Sequence, residues 1–84
     1  MSKTSDWVEY RALIAGCGSI GRRHARNLKS LGVRRLGFCD TRAEALQQCR
    51  EELGGDIFGD YDEALRKFRP DIVLICTPPV YHVE

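Results

Sequence analysis

The sequence has no apolar run long enough to cross a membrane. Its longest run covers only residues 72–76, whereas a membrane-spanning helix needs about 20 apolar residues. It also has no excess of charge, because 13 basic residues face 12 acidic residues and the net charge is +1. Nothing in this balance indicates nucleic acid or an anionic membrane as a partner. The amino terminus lacks the apolar stretch of a secretory signal, so we expect a cytoplasmic protein.

The sequence also lacks the cysteine and histidine spacings of a metal site. Its four cysteines contain no Cys-x-x-Cys pair, and its two histidines fall in different predicted elements. This pattern indicates reduced thiols and no bound metal. With 84 residues, of which 43% are apolar, the chain has an ordinary globular composition and enough length for one core.

Four short segments predict strands of a parallel sheet. The first and the last are continuous apolar runs, which are typical of strands buried on both faces. The last is rich in β-branched residues and is the clearest of the four. The predicted strands cover residues 11–15, 36–39, 56–58 and 71–76.

Helical periodicity follows the first strand, from about residue 19 to residue 31, and Gly32 is expected to end this helix. The predicted apolar stripe consists of Ile20, His24, Leu28 and Leu31. On this stripe His24 is expected to be a half-buried packing residue.

Two capping signals mark the starts of the second and third helices. Thr41 with Glu44 has the form of a capping box, in which each side chain satisfies a free backbone N–H. Asp60 with Glu63 has the same spacing. The second helix is predicted to end near residue 53, before two glycines, and the third before Pro70.

The elements alternate between strand and helix, beginning and ending with a strand. Helical crossovers of this kind favour a parallel sheet. The order therefore predicts an α/β fold, namely a partial Rossmann fold with a four-stranded parallel sheet in the order 3-2-1-4 and helices on both faces. Ligands of such sheets bind in the crevice outside the carboxyl ends of the strands.

The segment between the first strand and the first helix carries the motif Gly-x-Gly-x-x-Gly, formed by Gly16, Gly18 and Gly21. Gly16 permits a tight turn, Gly18 lets the backbone approach a pyrophosphate, and Gly21 lets the helix pack closely on the strand. The backbone N–H groups of Ser19 and Ile20 can face a phosphate. The Ser19 hydroxyl either adds a contact or only caps the helix. A dinucleotide is the predicted ligand, and the alternative is a glycine-rich turn without one.

Asp40 ends the second strand 19 residues after Gly21, close to the spacing at which a carboxylate accepts hydrogen bonds from the adenosine ribose. A carboxylate there repels a 2′-phosphate and favours NAD. Arg42 keeps NADP open as a cofactor, because its guanidinium could stack on adenine or pair with a 2′-phosphate. Methyltransferases that bind S-adenosylmethionine, which have similar loops, commonly carry an acid where this sequence has Ile14, so the sequence disfavours them.

Three motifs together resemble the Gfo/Idh/MocA family of oxidoreductases over residues 11–83. They are AGCGSIGRRHARNL, the acid that ends the second strand, and DIVLICTPPVYH at residues 71–82. In that family the segment after the fourth strand passes beside the cofactor. The resemblance therefore places Thr77, Pro78 and His82 near the pyrophosphate and the nicotinamide ribose.

The family's proteins continue with a fifth strand, a catalytic lysine in a Glu-Lys-Pro type of motif and a large substrate domain. The lysines of this sequence lie in no such motif. We therefore assign no catalytic residue. The expectation is that residues 1–84 form a single, truncated dinucleotide-binding domain whose residues 1–9 are a flexible segment.

Three functional hypotheses remain. The resemblance favours the cofactor-binding part of a sugar- or polyol-type oxidoreductase, whose small-molecule substrate would bind only in a longer parent protein. The second hypothesis is a stand-alone nucleotide-binding or interaction module without catalysis. The third is a non-functional truncated remnant, whose exposed fourth strand would favour pairing between copies and hence a homodimer.

Overall fold

The computed structural model describes residues 9–76, which form a parallel sheet crossed by helices. The strands are β1 (Arg11–Ala15), β2 (Arg35–Cys39), β3 (Asp56–Phe58) and β4 (Ile72–Ile75). The helices are α1 (Ser19–Ser30), α2 (Ala43–Leu53) and α3 (Tyr61–Phe68). The sheet order is β3-β2-β1-β4, which confirms the predicted α/β fold and strand order.

β1 lies between β2 and β4 in the sheet. Ile14 of β1 pairs with Phe38 on one side and with Leu74 on the other. β3 pairs with the outer side of β2, again in parallel. Because all strands run in the same direction, their carboxyl ends meet at one edge of the sheet, and the segment after β1 lies beside the end of β2.

The helices pack on both faces of the sheet, as predicted. One face carries α1 and α2 over a core that includes Ile14, Phe38 and Leu46. The other face carries α3, whose Phe68 packs with Leu13. Leu13, Ile14 and Phe38 have no exposed surface, so burial of apolar area along β1 and β2 holds the three layers together.

The buried face of α1 differs from the predicted one. Gly21 and Ala25 are buried, and Leu28 is partly buried against the core. The exposed members of the predicted stripe are Ile20, His24 and Leu31. The prediction of a half-buried packing histidine was therefore wrong. Small residues form the contact face because they let the helix approach β1 closely.

The start of α2 also differs from the prediction. Arg42 is the N-cap residue and no side chain caps the helix, so the capping box of Thr41 and Glu44 is absent. The reason lies at Asp40, whose carboxylate accepts the backbone N–H of Arg42 at 2.8 Å. This local side-chain to backbone bond turns the chain ahead of the helix.

The other predicted helix boundaries are confirmed. Asp60 caps α3, because its Oδ2 accepts the backbone N–H of Glu63 at 2.9 Å. After α3 the chain takes the left-handed conformation at Arg69, with φ 55°. α2 ends at Gly54 and Gly55, with φ 73° and 103°, values that glycine adopts without steric cost.

β4 is the outer strand next to β1, and it is only partly buried. Ile75 at its end is 69% exposed. The prediction that this strand is buried on both faces is therefore met only in part within residues 9–76, in which no strand lies beyond β4. Its apolar side chains pack on the sheet faces through Ile72, Val73 and Leu74.

The cysteines at positions 17, 39, 49 and 76 are free thiols. Within the described part of the chain, no group of three or more His, Cys, Asp or Glu side chains is placed to hold a metal ion. None of the helices in the same part is both long and apolar enough to cross a membrane.

Candidate functional site

The glycine loop, residues 16–18, connects β1 to α1 at the carboxyl edge of the sheet. Gly16 has φ 106°, a backbone conformation that residues with a side chain rarely adopt. Its N–H donates to the carbonyl oxygen of Cys39 at 2.8 Å. This bond holds the turn against the last residue of β2. Position 16 therefore requires glycine because of the φ angle of the turn.

Gly21 and Gly18 are glycines for different reasons. A Cβ at Gly21 would overlap the carbonyl oxygen of Gly16 and would lie 3.2 Å from Cγ2 of Ile14, so close packing of α1 on β1 requires glycine. Gly18 has φ −76°, and a Cβ there would meet only Nη2 of Arg42, at the ordinary contact distance of 3.8 Å. The fold itself does not require a glycine at position 18.

α1 begins directly after the glycine loop. Gly18 is the N-cap residue, no side chain caps the helix, and its first turn contains no acidic residue. Ser19 is the first helical residue, so it does not cap the helix. The first N–H groups of a helix have no intrahelical partner and carry partial positive charge. This end of α1 is therefore suited to an anion.

Asp40 ties the glycine loop to the end of β2. Its Oδ2 accepts the backbone N–H of Cys17 at 2.7 Å, and its Oδ1 accepts the backbone N–H of Arg42. The Asp40 side chain is only 6% exposed. The carboxylate is thus a largely covered anion held by two backbone donors from different loops.

The Arg42 guanidinium covers the remaining acceptor positions of Asp40. Nη2 donates to Oδ2 at 2.9 Å, and Nε donates to Oδ1 at 3.1 Å. These bonds, together with the N–H of Cys17, hold the pKa of Asp40 well below its usual range against the opposing effect of burial. Asp40 is therefore ionised at neutral pH, while the Arg42 side chain remains 59% exposed.

The structure brings six of the predicted site residues together around a cavity of about 380 Å³: Gly16, Gly18, Ser19, Ile20, Asp40 and Arg42. Thr41 and Cys76 also line it, and sequence reasoning missed both. Both could have been predicted from their positions. Cys76 directly follows β4, and Thr41 directly follows Asp40, at the edge of the sheet where ligands bind. Thr77, Pro78 and His82 lie outside the described residues.

A second cavity, of about 480 Å³, adjoins the first at the same edge. It is lined by the ends of β1, β2 and β4 and by the start of α3, including Asp40, Tyr61 and Ile75. Tyr61 and Ile75 are 40% and 69% exposed. This second cavity therefore offers apolar surface next to the carboxylate.

Buried thiols lie beneath the glycine loop. The Cys17 thiol donates to the carbonyl oxygen of Cys39 at 3.7 Å, and the Cys49 thiol lies 4.0 Å from the carbonyl oxygen of Cys17. Burial raises the pKa of all three thiols. They are therefore protonated packing residues and poor nucleophiles.

Comparison with known proteins agrees with this geometry. The model of the Gfo/Idh/MocA family, described as an oxidoreductase family with an NAD-binding Rossmann fold, matches residues 10–84. A curated relative, 4-carboxy-2-hydroxymuconate-6-semialdehyde dehydrogenase from Sphingobium sp. strain SYK-6, is 33% identical over 76 residues. The match covers 88% of this chain and 24% of the relative.

Two solved structures are similar in fold. Scyllo-inositol dehydrogenase from Lactobacillus casei, solved with NAD(H) and scyllo-inositol, has a TM-score of 0.71 at 25% identity and matches 82% of this chain and 21% of its own. The WlbA dehydrogenase from Chromobacterium violaceum, solved with NADH and UDP-GlcNAcA, has a TM-score of 0.75 at 29% identity, over 84% of this chain and 21% of its own.

The chain spans about a quarter or less of the length of these relatives. The family match nevertheless includes every strand and helix described above. The parallel sheet, its strand order and the glycine loop after β1 all agree with it. The chain belongs to the Gfo/Idh/MocA family of oxidoreductases, as an NAD-binding Rossmann domain.

Proposed function

We propose that this chain binds NAD(H) in the crevice between the glycine loop and Asp40. The pyrophosphate would lie over Gly18 at the amino terminus of α1, and the adenosine ribose at Asp40. Gly18 carries the proposal, because its φ is ordinary and a Cβ there would meet only Nη2 of Arg42, at the unstrained distance of 3.8 Å. The packing of the protein gives no reason for a glycine there, whereas the close approach of a phosphate to the backbone does.

The electrostatics of the crevice support a dinucleotide. The uncapped start of α1 supplies N–H donors without a nearby acid in the helix, which suits a pyrophosphate. Asp40 supplies carboxylate oxygens, which suit ribose hydroxyls. The two adjoining cavities, of about 380 and 480 Å³, are within the size range of small-molecule sites, about 300–1,000 Å³.

Asp40 favours NAD(H) over NADP(H). Its carboxylate is ionised and would repel the 2′-phosphate of NADP(H). The Arg42 guanidinium, which could pair with that phosphate, is already paired with Asp40. NADP(H) binding would therefore bring two anions together, whereas NAD(H) binding would not, so NADP(H) is kept as the alternative cofactor.

Ribose binding at Asp40 would be an exchange of partners. The carboxylate already accepts four N–H bonds, from Cys17 and Arg42, which fill its roughly four acceptor positions. The two backbone bonds hold the fold. The guanidinium bonds belong to a largely exposed side chain, so the ribose hydroxyls would replace the Arg42 guanidinium.

In a longer parent protein this domain would serve as the cofactor-binding part of a sugar- or polyol-type oxidoreductase. One relative was solved with a polyol and another with a nucleotide-linked sugar acid, both with NAD(H) or NADH. The substrate would bind outside these 84 residues, and we assign no catalytic residue within them. The contacts of Thr77, Pro78 and His82 with the cofactor remain predictions, as does a cytoplasmic location.

The partial exposure of β4 supports a homodimer formed by strand pairing. Ile75 is the most exposed large apolar residue of the described chain, and unpaired strand edges favour association. Light scattering at rising concentration should show a dimer that Ile75→Lys weakens. A monomer at every concentration would contradict this pairing.

The proposal is tested by titrating the chain with NADH and following nicotinamide fluorescence. The unsubstituted chain should bind NADH saturably. Gly18→Ala should bind NADH at least about tenfold more weakly, because a methyl group would hold the pyrophosphate away from the backbone. Ser30→Ala, at the opposite end of α1, is the control and should bind NADH as tightly as the unsubstituted chain does. Thermal unfolding of each variant verifies that the chain is folded.

Unchanged binding by Gly18→Ala would refute the proposed position of the pyrophosphate. If the folded, unsubstituted chain does not bind NADH saturably, the proposed function itself is refuted. The two outcomes are distinct, because the Gly18→Ala comparison requires measurable binding by the unsubstituted chain.

A further inference from the structure

A basic cavity of about 280 Å³ lies at the amino edge of the sheet, opposite the glycine loop. It is bounded by the starts of β1, β2 and β3 and by the end of α3. Its charged lining residues are Arg11, Arg34, Arg35, Lys67 and Asp56. Four cationic side chains thus surround the cavity with one carboxylate among them.

The three arginine side chains of this cavity form no hydrogen bond or ion pair within residues 9–76. Lys67 pairs with Glu63 at 2.9 Å, but its side chain is 61% exposed, so this pair is weak. Asp71 uses Oδ2 to accept the backbone N–H of Arg11 at 2.9 Å and leaves the guanidinium unpaired. The three guanidinium groups therefore have no ion-pair partner among residues 9–76, although the carboxylates of Asp56, Glu63 and Asp71 offset part of the positive charge.

The strand register adds repulsion between these charges. Arg11 and Arg35 are paired residues on the neighbouring strands β1 and β2, and Arg34 immediately precedes β2. Like charges on adjacent strands lower stability. All three residues are exposed, so the apolar core does not require them. An anion bound between these arginines would attract each guanidinium and so offset the repulsion among them.

We propose that this cavity binds a small phosphate-bearing anion, either free phosphate or the phosphate group of a small metabolite. Guanidinium groups match phosphate oxygens with two parallel hydrogen bonds. The volume is at the lower limit of small-molecule sites, about 300 Å³, which suits a single phosphate group and excludes a whole dinucleotide.

The phosphate site is separate from the NAD(H) crevice. Arg11 begins β1 at the amino edge, and Ala15 ends it at the carboxyl edge. Four residue steps along a strand cover about 13 Å. An anion in the basic cavity would therefore not displace the cofactor, and this inference does not depend on NAD(H) binding.

The test is a titration of the ¹⁵N-labelled chain with sodium phosphate, and separately with glycerol 3-phosphate, at constant ionic strength maintained with sodium chloride. The amide signals of Leu36, Gly55 and Asp56 at the cavity should shift saturably. Arg34→Gln/Arg35→Gln should weaken this binding about tenfold or more, as expected for the loss of charge-assisted hydrogen bonds. Arg23→Gln removes one positive charge from the exposed face of α1, away from the cavity. It is the charge-matched control for Arg34→Gln alone and should bind as the unsubstituted chain does.

Tighter binding of one probe assigns the source, either free phosphate or a phosphate monoester. Shifts confined to the amides of Gly18 and Ser19, or shifts that never saturate, would overturn the proposal. So would an equal response in the double variant. If the double variant does not fold, Arg34→Gln alone provides the same comparison, because this residue precedes the strand.

Discussion

Oδ2 of Asp40 and the backbone nitrogen of Cys17 lie 2.7 Å apart, although 23 residues separate them in the sequence. The bond joins the acid at the end of β2 to the middle of the glycine loop. The residue proposed to hold the ribose is thus also a structural tie for the loop proposed to hold the pyrophosphate. Substitutions at Asp40 are therefore expected to affect both stability and ligand binding.

Asp40→Asn should lower the free energy of unfolding at pH 7 by about 1–3 kcal/mol, the usual cost of weakening a buried hydrogen-bonded charge. The pKa of Asp40 is lower in the folded chain than its unfolded value of about 3.9. The carboxylate therefore stabilises the fold above that unfolded value, and its contribution is lost as pH falls toward the folded value. Urea unfolding of both chains from pH 7 to pH 3 should show the difference shrink below about pH 4. A constant difference would contradict the pairing.

Gly21→Ala should destabilise the fold by about 1–3 kcal/mol, because the new Cβ would overlap the carbonyl oxygen of Gly16 and force α1 away from β1. Gly18→Ala should cost no more than about 1 kcal/mol, the usual effect of alanine at a helix N-cap. Urea unfolding of the two variants measures the contrast. Equal losses would contradict the difference in packing between the two positions.

Asp40→Ala should shift cofactor preference from NADH toward NADPH. The change removes the ribose acceptor and frees the Arg42 guanidinium, which can then pair with a 2′-phosphate. We expect the ratio of NADPH to NADH affinity to rise about tenfold, or about 1.4 kcal/mol. Asp40→Ala/Arg42→Ala should lose the gain for NADPH. Fluorescence titrations of the three chains with both cofactors give the six affinities, and equal losses for both cofactors in Asp40→Ala would contradict this role.

Gly37→Ala should destabilise the opposite face of the sheet. A Cβ at Gly37 would lie 3.0 Å from the ring of Phe68, so overpacking should cost about 1–3 kcal/mol. Phe68→Leu makes room for the methyl group, and in the Gly37→Ala background it should restore part of the loss. A double-mutant cycle by urea unfolding measures this coupling. Strictly additive costs would mean that the two side chains do not compete for space.

The fold could be predicted because its signals are local and agree with each other. β1 is a continuous apolar run followed by Gly16, and the capping spacing of Asp60 marks the start of α3. Parallel strands joined by helices then leave few arrangements of the sheet. The wrong predictions concern which of several neighbouring residues faces the core or caps a helix. On α1, hydrophobicity alone favours the stripe through Ile20, whereas close approach to β1 selects the stripe through Gly21 and Ala25.

The site was predictable in its membership but not in its bonds. The motif spacing identified Gly18 and Asp40, which the fold brings to one cavity. The bond between Asp40 and Cys17 joins distant parts of the chain, so no local pattern could show it. Arg42 pairs with Asp40, because a nearby carboxylate is a strong partner for a guanidinium, and its contact with a ligand stays a prediction.

The two bonds from the end of β2 to the glycine loop, at Gly16 and at Cys17, mean that the loop is ordered by folding itself. The conformational entropy of those residues is lost before any ligand arrives, and it need not be lost again on association. We therefore expect association to proceed without a slow loop rearrangement, at a rate limited by encounter and orientation and by the departure of a single arginine side chain.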